Sequence, residues 1–326
     1  MSGNSGAGGR IMLMVVLSGV CISIIGVMYK IGATCTPAVD TLQVMVVAMG
    51  VGFVYSVVRL FRRPDWRRGL IGSRAGRAWV AGLINGAGQM LTAWLIIVAF
   101  QHKLPLTPVW CAMALSFVVV ILYSRVVWSE KLDGAKWLSI AAAVGCVIVS
   151  SLASPSGDAT EAAASSVGSV GDGGLLLAGL LVAIILCNSS SQVCMKDLGM
   201  QLSDGQTLMD RHRELFLVLM YGILTAGTVV FCVARGLPMT ATSLALGLVA
   251  AAGSIAGVLL LTACVSAPAA VVFTLNGVAG ILSASLISVL ALGEPATAQW
   301  AATLTLAAAA IVLGSGIVRT QVTSDP

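Results

Sequence analysis

The sequence predicts an all-α integral membrane protein of ten transmembrane helices in two inverted five-helix repeats. Three observations carry that expectation. Of 326 residues, 58% are hydrophobic and 10% charged, and the mean hydropathy is +1.00. A soluble domain carries about 25% charged residues, so this chain cannot cover a water-facing surface. That excludes an ordinary cytosolic enzyme, a disordered chain and a fibrous repeat. Next, the apolar residues fall into runs of roughly 20, the length that crosses a bilayer as helix. Last, landmarks of the first half recur in order in the second.

The runs in order are 11–29, 38–60, 78–99, 106–127, 136–153, 174–195, 215–234, 241–263, 267–291 and 297–317. In lipid each must satisfy its own backbone hydrogen bonds, which makes them helices. The first follows Arg10 and is longer than a signal-peptide core. No small-residue cleavage site follows it, so it reads as a retained span. Pro37, Pro64, Pro105, Pro238, Pro268 and Pro295 fall between spans or at their ends. Residues 154–173 are rich in Ser, Gly, Ala and Asp, and read as a linker between halves 1–153 and 174–326.

With the N-terminus placed in the cytoplasm, 15 of the 18 Lys and Arg fall on the inner side and three, Lys30, Lys103 and Arg235, on the outer. This bias predicts that orientation and, with ten spans, a cytoplasmic C-terminus. The default destination is the plasma (inner) membrane, with a Golgi-type membrane as the alternative. The net charge of +5 is spread over inter-span stretches and is no nucleic-acid signature. Eight cysteines without a CxxC pair predict neither a disulfide framework nor a metal site. No cofactor is expected.

The repeat is read from several weak matches. Cys21 and Cys187 are 166 residues apart, as are Lys30 and Lys196. Glu130 and Glu294 are offset by 164, Trp137 and Trp300 by 163, and Pro108 and Pro268 by 160. Gly82-xxx-Gly86 is set beside Gly253-xxx-Gly257. Five spans per half is odd, so the second half enters the membrane upside down, a geometry from which transporters build alternating access.

Ser129-Glu130-Lys131-Leu132 and Leu292-Gly293-Glu294-Pro295-Ala296-Thr297, with the Lys past the first helix of each half, resemble the EamA-type repeat of the drug/metabolite transporter superfamily. The resemblance covers roughly residues 11–317. It implies a carrier of small polar metabolites such as amino acids, working without ATP. Nucleotide-sugar antiporters share that architecture.

Polar side chains within spans are costly unless they face a cavity or a partner. Asn85 and Gln89 share a face of the third span. Asn188, Ser189 and Gln192 belong to the densest polar run, in the sixth. Asn276 in the ninth matches Ser116 in the fourth, and Trp94 offers a stacking wall. These eight are the expected substrate-binding residues; the competing reading is plain interhelical bonding. Glu130 and Glu294 are expected as helix–loop anchors, Lys30 and Lys196 as side chains snorkelling to headgroups, and His102 and His212 in loops. No acid stands at mid-depth, so no carboxylate proton relay is expected, and neither catalytic nor metal residues are assigned. An intramembrane enzyme lacks its motifs; a non-transporting scaffold would use the polar clusters for packing alone. Expected partners are a small-molecule substrate and the lipid bilayer, with a homodimer left open.

Overall fold

A computed structural model describes residues 5–35, 39–64, 66–71, 74–101, 106–152, 172–203, 205–292 and 298–322. Lys103, His102, Glu294, Pro295 and most of the linker fall outside them. The chain forms helices α1 (Ser5–Thr34), α2 (Thr41–Arg62), α3 (Trp66–Ile71), α4 (Ala75–Gln101), α5 (Leu106–Val127) and α6 (Gly134–Leu152). After the linker come α7 (Asp172–Met200), α8 (Leu208–Ala234), α9 (Ala241–Thr262), α10 (Ala269–Leu292) and α11 (Ala298–Val322). Between α7 and α8, Leu202–Ser203 pairs antiparallel with Gln206–Thr207.

Within the described residues every apolar run lies in a helix, and the starts of α2, α8 and α9 are set by caps. Asp40 accepts from the Leu42 amide at 2.8 Å, while Gln43 accepts from the Asp40 amide at 3.0 Å, closing a capping box on α2. Thr240 and Ser243 close another on α9. Thr207 caps α8, whose first residue, Leu208, lies seven residues before the apolar run begins. His212, expected in a loop, is therefore buried in α8, at a kink where its φ is −117°. The short α3 was not legible as an element: its six residues are too few for a periodic signal.

Among the described residues, six helices contain segments long and apolar enough to cross a membrane: Gly8–Gly32, Thr41–Arg62, Gly179–Met200, Leu208–Ala234, Ala241–Thr262 and Ala269–Ile287. The packing is that of a lipid-solvated bundle. On α4, Val80, Leu83, Ile84 and Leu91 face outward, while Asn85 and Thr92 are buried. On α7, Val182 and Leu186 are exposed, while Asn188 and Ser191 are buried. Apolar outside and polar inside inverts the pattern of a soluble helix and fits a multi-pass membrane protein.

The principal pairings are α1 with α9 and α10, α7 with α4 and α5, α2 with α8 and α9, and α4 with α8. The α6–α11 and α5–α10 contacts complete the bundle. Small residues set the closest approaches, as expected where lipid gives no hydrophobic drive between helices. A Cβ on Gly253 would stand 2.6 Å from the Cys21 carbonyl oxygen, and one on Gly257 2.5 Å from Ile22 Cγ1, so α9 lies on α1 at backbone distance. A Cβ on Gly88 would stand 3.0 Å from the Cys187 carbonyl oxygen and 2.7 Å from Ser190 Oγ, so α4 lies close on α7. Gly82 and Gly86 instead meet Leu219 and Ile223 of α8. They are thus not the counterparts of Gly253 and Gly257; Gly88 is the glycine that does on α7 what Gly253 does on α1.

Gly253→Leu should destabilise the detergent-solubilised protein by about 1–3 kcal/mol through overpacking, visible as a lower melting temperature. Gly76→Ala, with nothing within 4 Å, should leave it unchanged.

Candidate functional site

The densest polar cluster lies where α4, α5 and α7 meet. Gln89 donates from Nε2 to Asn188 Oδ1 at 3.2 Å and to Ser191 Oγ at 2.6 Å. One turn earlier on the same face, Asn85 donates from Nδ2 to the Ser191 carbonyl at 3.2 Å. Asn188 Nδ2 donates to the Met113 carbonyl and to Ser116 Oγ, each at 2.9 Å. Gln192 Nε2 reaches the same Ser116 oxygen at 3.0 Å. Asn85, Ser116 and Ser191 have no exposed surface.

The orientation of these groups follows from proton counting. The Ser116 hydroxyl gives its proton to the Met113 carbonyl at 2.7 Å, so its oxygen can only accept from Asn188 and Gln192. That fixes the nitrogen end of both amides. Asn85 and Gln192 each keep one N–H uncommitted, and Asn85 Oδ1 and Gln192 Oε1 are buried without a hydrogen-bond partner among the described residues.

The other expected residues divide. Ser189 returns its proton to the Ile185 carbonyl of its own helix and stands 3.4 Å from the Ser116 carbonyl. Asn276 lies on α10, where α5 crosses it: Gly277 faces the Phe117 ring, one residue past Asn276 and Ser116 on their helices. Asn276 Oδ1 is a third buried oxygen without a partner. Trp94 stands apart. It is 42% exposed on the outward face of α4, nine residues from Asn85 and so half a helical circuit away. Ser191, which joins α7 to both Asn85 and Gln89, is the residue that spacing did not single out. Its only signal was its place inside the Asn188–Gln192 run. A further buried bond, Tyr221 to Ser254 at 2.9 Å, links α8 to α9 and had no sequence signal.

At one end of the bundle, formed by the last turns of α2, α5 and α7 and the first of α8 and α10, basic residues bind the two parts of the chain together. Lys196 does not snorkel. It has no exposed surface and its Nζ lies 2.7 Å from Glu130 Oε1, with a second bond of 2.7 Å to the Ala267 carbonyl. Glu130, 14% exposed, also accepts from the Ala269 amide at 2.9 Å, placing a carboxylate on the N-terminus of α10. Ser129, at φ +53°, makes the turn that folds Glu130 back under that helix. Nearby, Glu214 is 3% exposed and takes a hydrogen bond from Arg59 Nη2 at 3.3 Å; Arg63 Nε pairs with it at 3.1 Å by charge, without the alignment of a hydrogen bond. Arg74 donates to the Leu202 carbonyl at 2.7 Å, and Arg77 to Gln201. Above this end the interfacial α3 is tied down by the Trp79 indole, which donates to the Leu70 carbonyl at 3.1 Å.

No family model and no curated protein matches the chain. A solved structure described only as the crystal structure of a protein is similar to it, with a TM-score of 0.67 at 12% identity, over 96% of this chain and 99% of that one. At that identity the likeness carries the fold alone.

Glu130→Gln should strand a buried ammonium and cost about 3–5 kcal/mol, whereas the double change Glu130→Gln with Lys196→Met should recover most of the loss. Thermal unfolding of the three proteins in one detergent checks the difference; equal melting temperatures for the single and double variants would remove the ion pair as a structural element.

Proposed function

We propose that the protein is a secondary transporter of a small polar metabolite, built as ten spans in two inverted five-helix repeats of the drug/metabolite transporter type. The observation that carries this reading is the pattern of helix pairing. Take α1, α2, α4, α5 and α6 as one half, and α7, α8, α9, α10 and α11 as the other. Exchanging each helix with its counterpart turns α1–α9 into α7–α4, α1–α10 into α7–α5, and α2–α9 into α8–α4; all six pairings are present. The same exchange maps α2–α8, α5–α10 and α6–α11 onto themselves, and these too are present. That pattern of pairings supports a two-fold relation between the halves.

Side-chain detail supports the same axis. Gly88 and Gly253, 165 residues apart, meet the carbonyls of Cys187 and Cys21, which are 166 apart. Phe117 meets Gly277, 160 further on, at the α5–α10 crossing. On α2 and α8, Gly52 receives the Tyr221 ring and Gly222 the Phe53 ring.

Transport rather than scaffolding is favoured by where the polar groups fall. Asn85, Gln89 and Ser116 come from one half, and Asn188, Ser191 and Gln192 from the other. A binding site at a repeat interface is what alternating access requires. Moving the halves then breaks and remakes bonds at the site itself. In the conformation described, Lys196–Glu130, Arg59–Glu214 and Arg63–Glu214 tie the halves together at the basic end. We assign this end to the cytoplasmic face of the plasma (inner) membrane, from its charge. Opening toward it requires those pairs to part.

In a cysteine-free background, Gln206→Cys should react with a membrane-impermeant maleimide only after permeabilisation, and Met239→Cys in intact cells. The reverse labelling would invert the topology, and labelling of both from one side would defeat it.

In proteoliposomes loaded with a metabolite panel of amino acids, sugars and nucleotides, counterflow should appear for at least one solute. Gln192→Ala and Asn188→Ala should lower it by about tenfold, the cost of leaving one buried polar group unanswered. Absence of flux across the whole panel would defeat the transport reading.

A further inference from the structure

The arginines between α2 and α4 divide into two groups. Residues 59–77 hold seven Arg and one acid, Asp65. Four of the seven are spent on the protein: Arg59 and Arg63 on Glu214, Arg74 on the Leu202 carbonyl and Arg77 on Gln201. Arg62 and Arg67 are exposed, and among the described residues neither has a hydrogen bond or an ion pair. Arg67 is nonetheless held in place. The Phe61 and Trp66 rings meet edge to face with centres 5.1 Å apart, and Arg67 Cζ lies 5.3 Å from the centre of the Trp66 ring. That contact positions the guanidinium and uses none of its N–H donors.

An apolar stripe leads to these two cations. Val54, Val58 and Phe61 of α2 are exposed at intervals of four and three, so they share one face, and Arg62, four beyond Val58, ends it. At 1.5 Å per residue the stripe is about 12 Å long. Ile71 at the end of α3, and Trp79 and Val80 in the first turns of α4, are exposed as well. A soluble acidic protein or a nucleic acid reaches the arginines but not Val54 and Val58, which lie inside the apolar segment Thr41–Arg62. A phospholipid reaches both. Its acyl chain lies along the stripe, and its phosphate meets two guanidiniums, whose donors suit phosphate oxygens. A zwitterionic headgroup brings a cation of its own to a place that already holds two, so a net-negative headgroup is the better match.

We propose that the corner between α2 and α3 is a binding site for an anionic phospholipid, with its phosphate held by Arg62 and Arg67 and an acyl chain on Val54, Val58 and Phe61. The same last turns of α2 carry Arg59 and Arg63 to Glu214 of α8, so a lipid bound on one face steadies the ion pairs on the other. The purified full chain in nonionic detergent is titrated with phosphatidylglycerol, phosphatidylcholine or soluble glycerol phosphate while the melting temperature is followed. Phosphatidylglycerol should raise it at concentrations where the other two do not. Arg62→Gln with Arg67→Gln should weaken that response about 30-fold in apparent affinity. Arg10→Gln with Lys131→Gln, which removes two exposed charges from the same end of the bundle, should retain it. An equal response to phosphatidylcholine, an equal response to glycerol phosphate, or no response to phosphatidylglycerol would each overturn the proposal, and none of these needs a variant to fold. Equal losses in the two double variants would also overturn it, since the lipid would then be drawn by surface charge in general. Counterflow is a separate result. Transport without a preference for phosphatidylglycerol leaves the transport reading standing and overturns this one; phosphatidylglycerol binding without counterflow for any solute overturns transport and leaves the lipid site standing.

Discussion

A lysine with no exposed surface must have its charge answered where it lies, and the basic end of the bundle is organised around that need. Lys196 ends α7, Glu130 follows α5, and the amide that Glu130 also serves begins α10. Three helices are fixed at one point because one ammonium cannot be left alone in a low-dielectric interior. The left-handed turn at Ser129 and the second lysine bond to the Ala267 carbonyl serve the same pair. Glu214 repeats the logic on the other side of the bundle, held by Arg59 and Arg63 of α2.

The middle of the bundle obeys the same constraint without charge. Amides and hydroxyls of α4, α5 and α7 satisfy one another in a chain that runs from Gln89 through Asn188 to Ser116 and back to Gln192. Each such bond contributes only about 0.6 kcal/mol on average, so close glycine packing, as at Gly88, does as much to hold the helices. The chain is incomplete: Asn85 Oδ1 and Gln192 Oε1 have no hydrogen-bond partner among the described residues, and the same two amides each keep an N–H uncommitted. Buried polar groups ordinarily close their balance.

Much of this was legible in the residues. Ten runs of about 20 apolar residues gave the ten long helices, because a backbone without water must bond to itself, although α1 and α8 extend five to seven residues beyond their runs. Asn85 with Gln89, and Asn188 with Gln192, announced two polar faces by their spacing of four. The limits of the reading were physical. Lys196 was expected at the headgroups because a single span shows a lysine near its end, not the carboxylate that a different helix folds beneath it. Trp94 was expected among the polar groups because depth along a helix can be counted from sequence, whereas its outward direction is settled by which neighbours take the opposite face. The glycines of α4 were matched to the wrong positions of α9 because a GxxxG string does not say which helix it will meet.

The sequence by itself determined that the chain is helical and apolar, roughly where its ten long helices lie, and which residues carry polarity into the spans. Those properties depend on local hydrophobicity, capping and length, and are written in contiguous residues. Only the tertiary structure decided which helices touch, that Glu130 answers Lys196, and that Ser191 rather than Trp94 completes the cluster. Those facts depend on pairs of groups far apart in the chain brought within hydrogen-bonding distance.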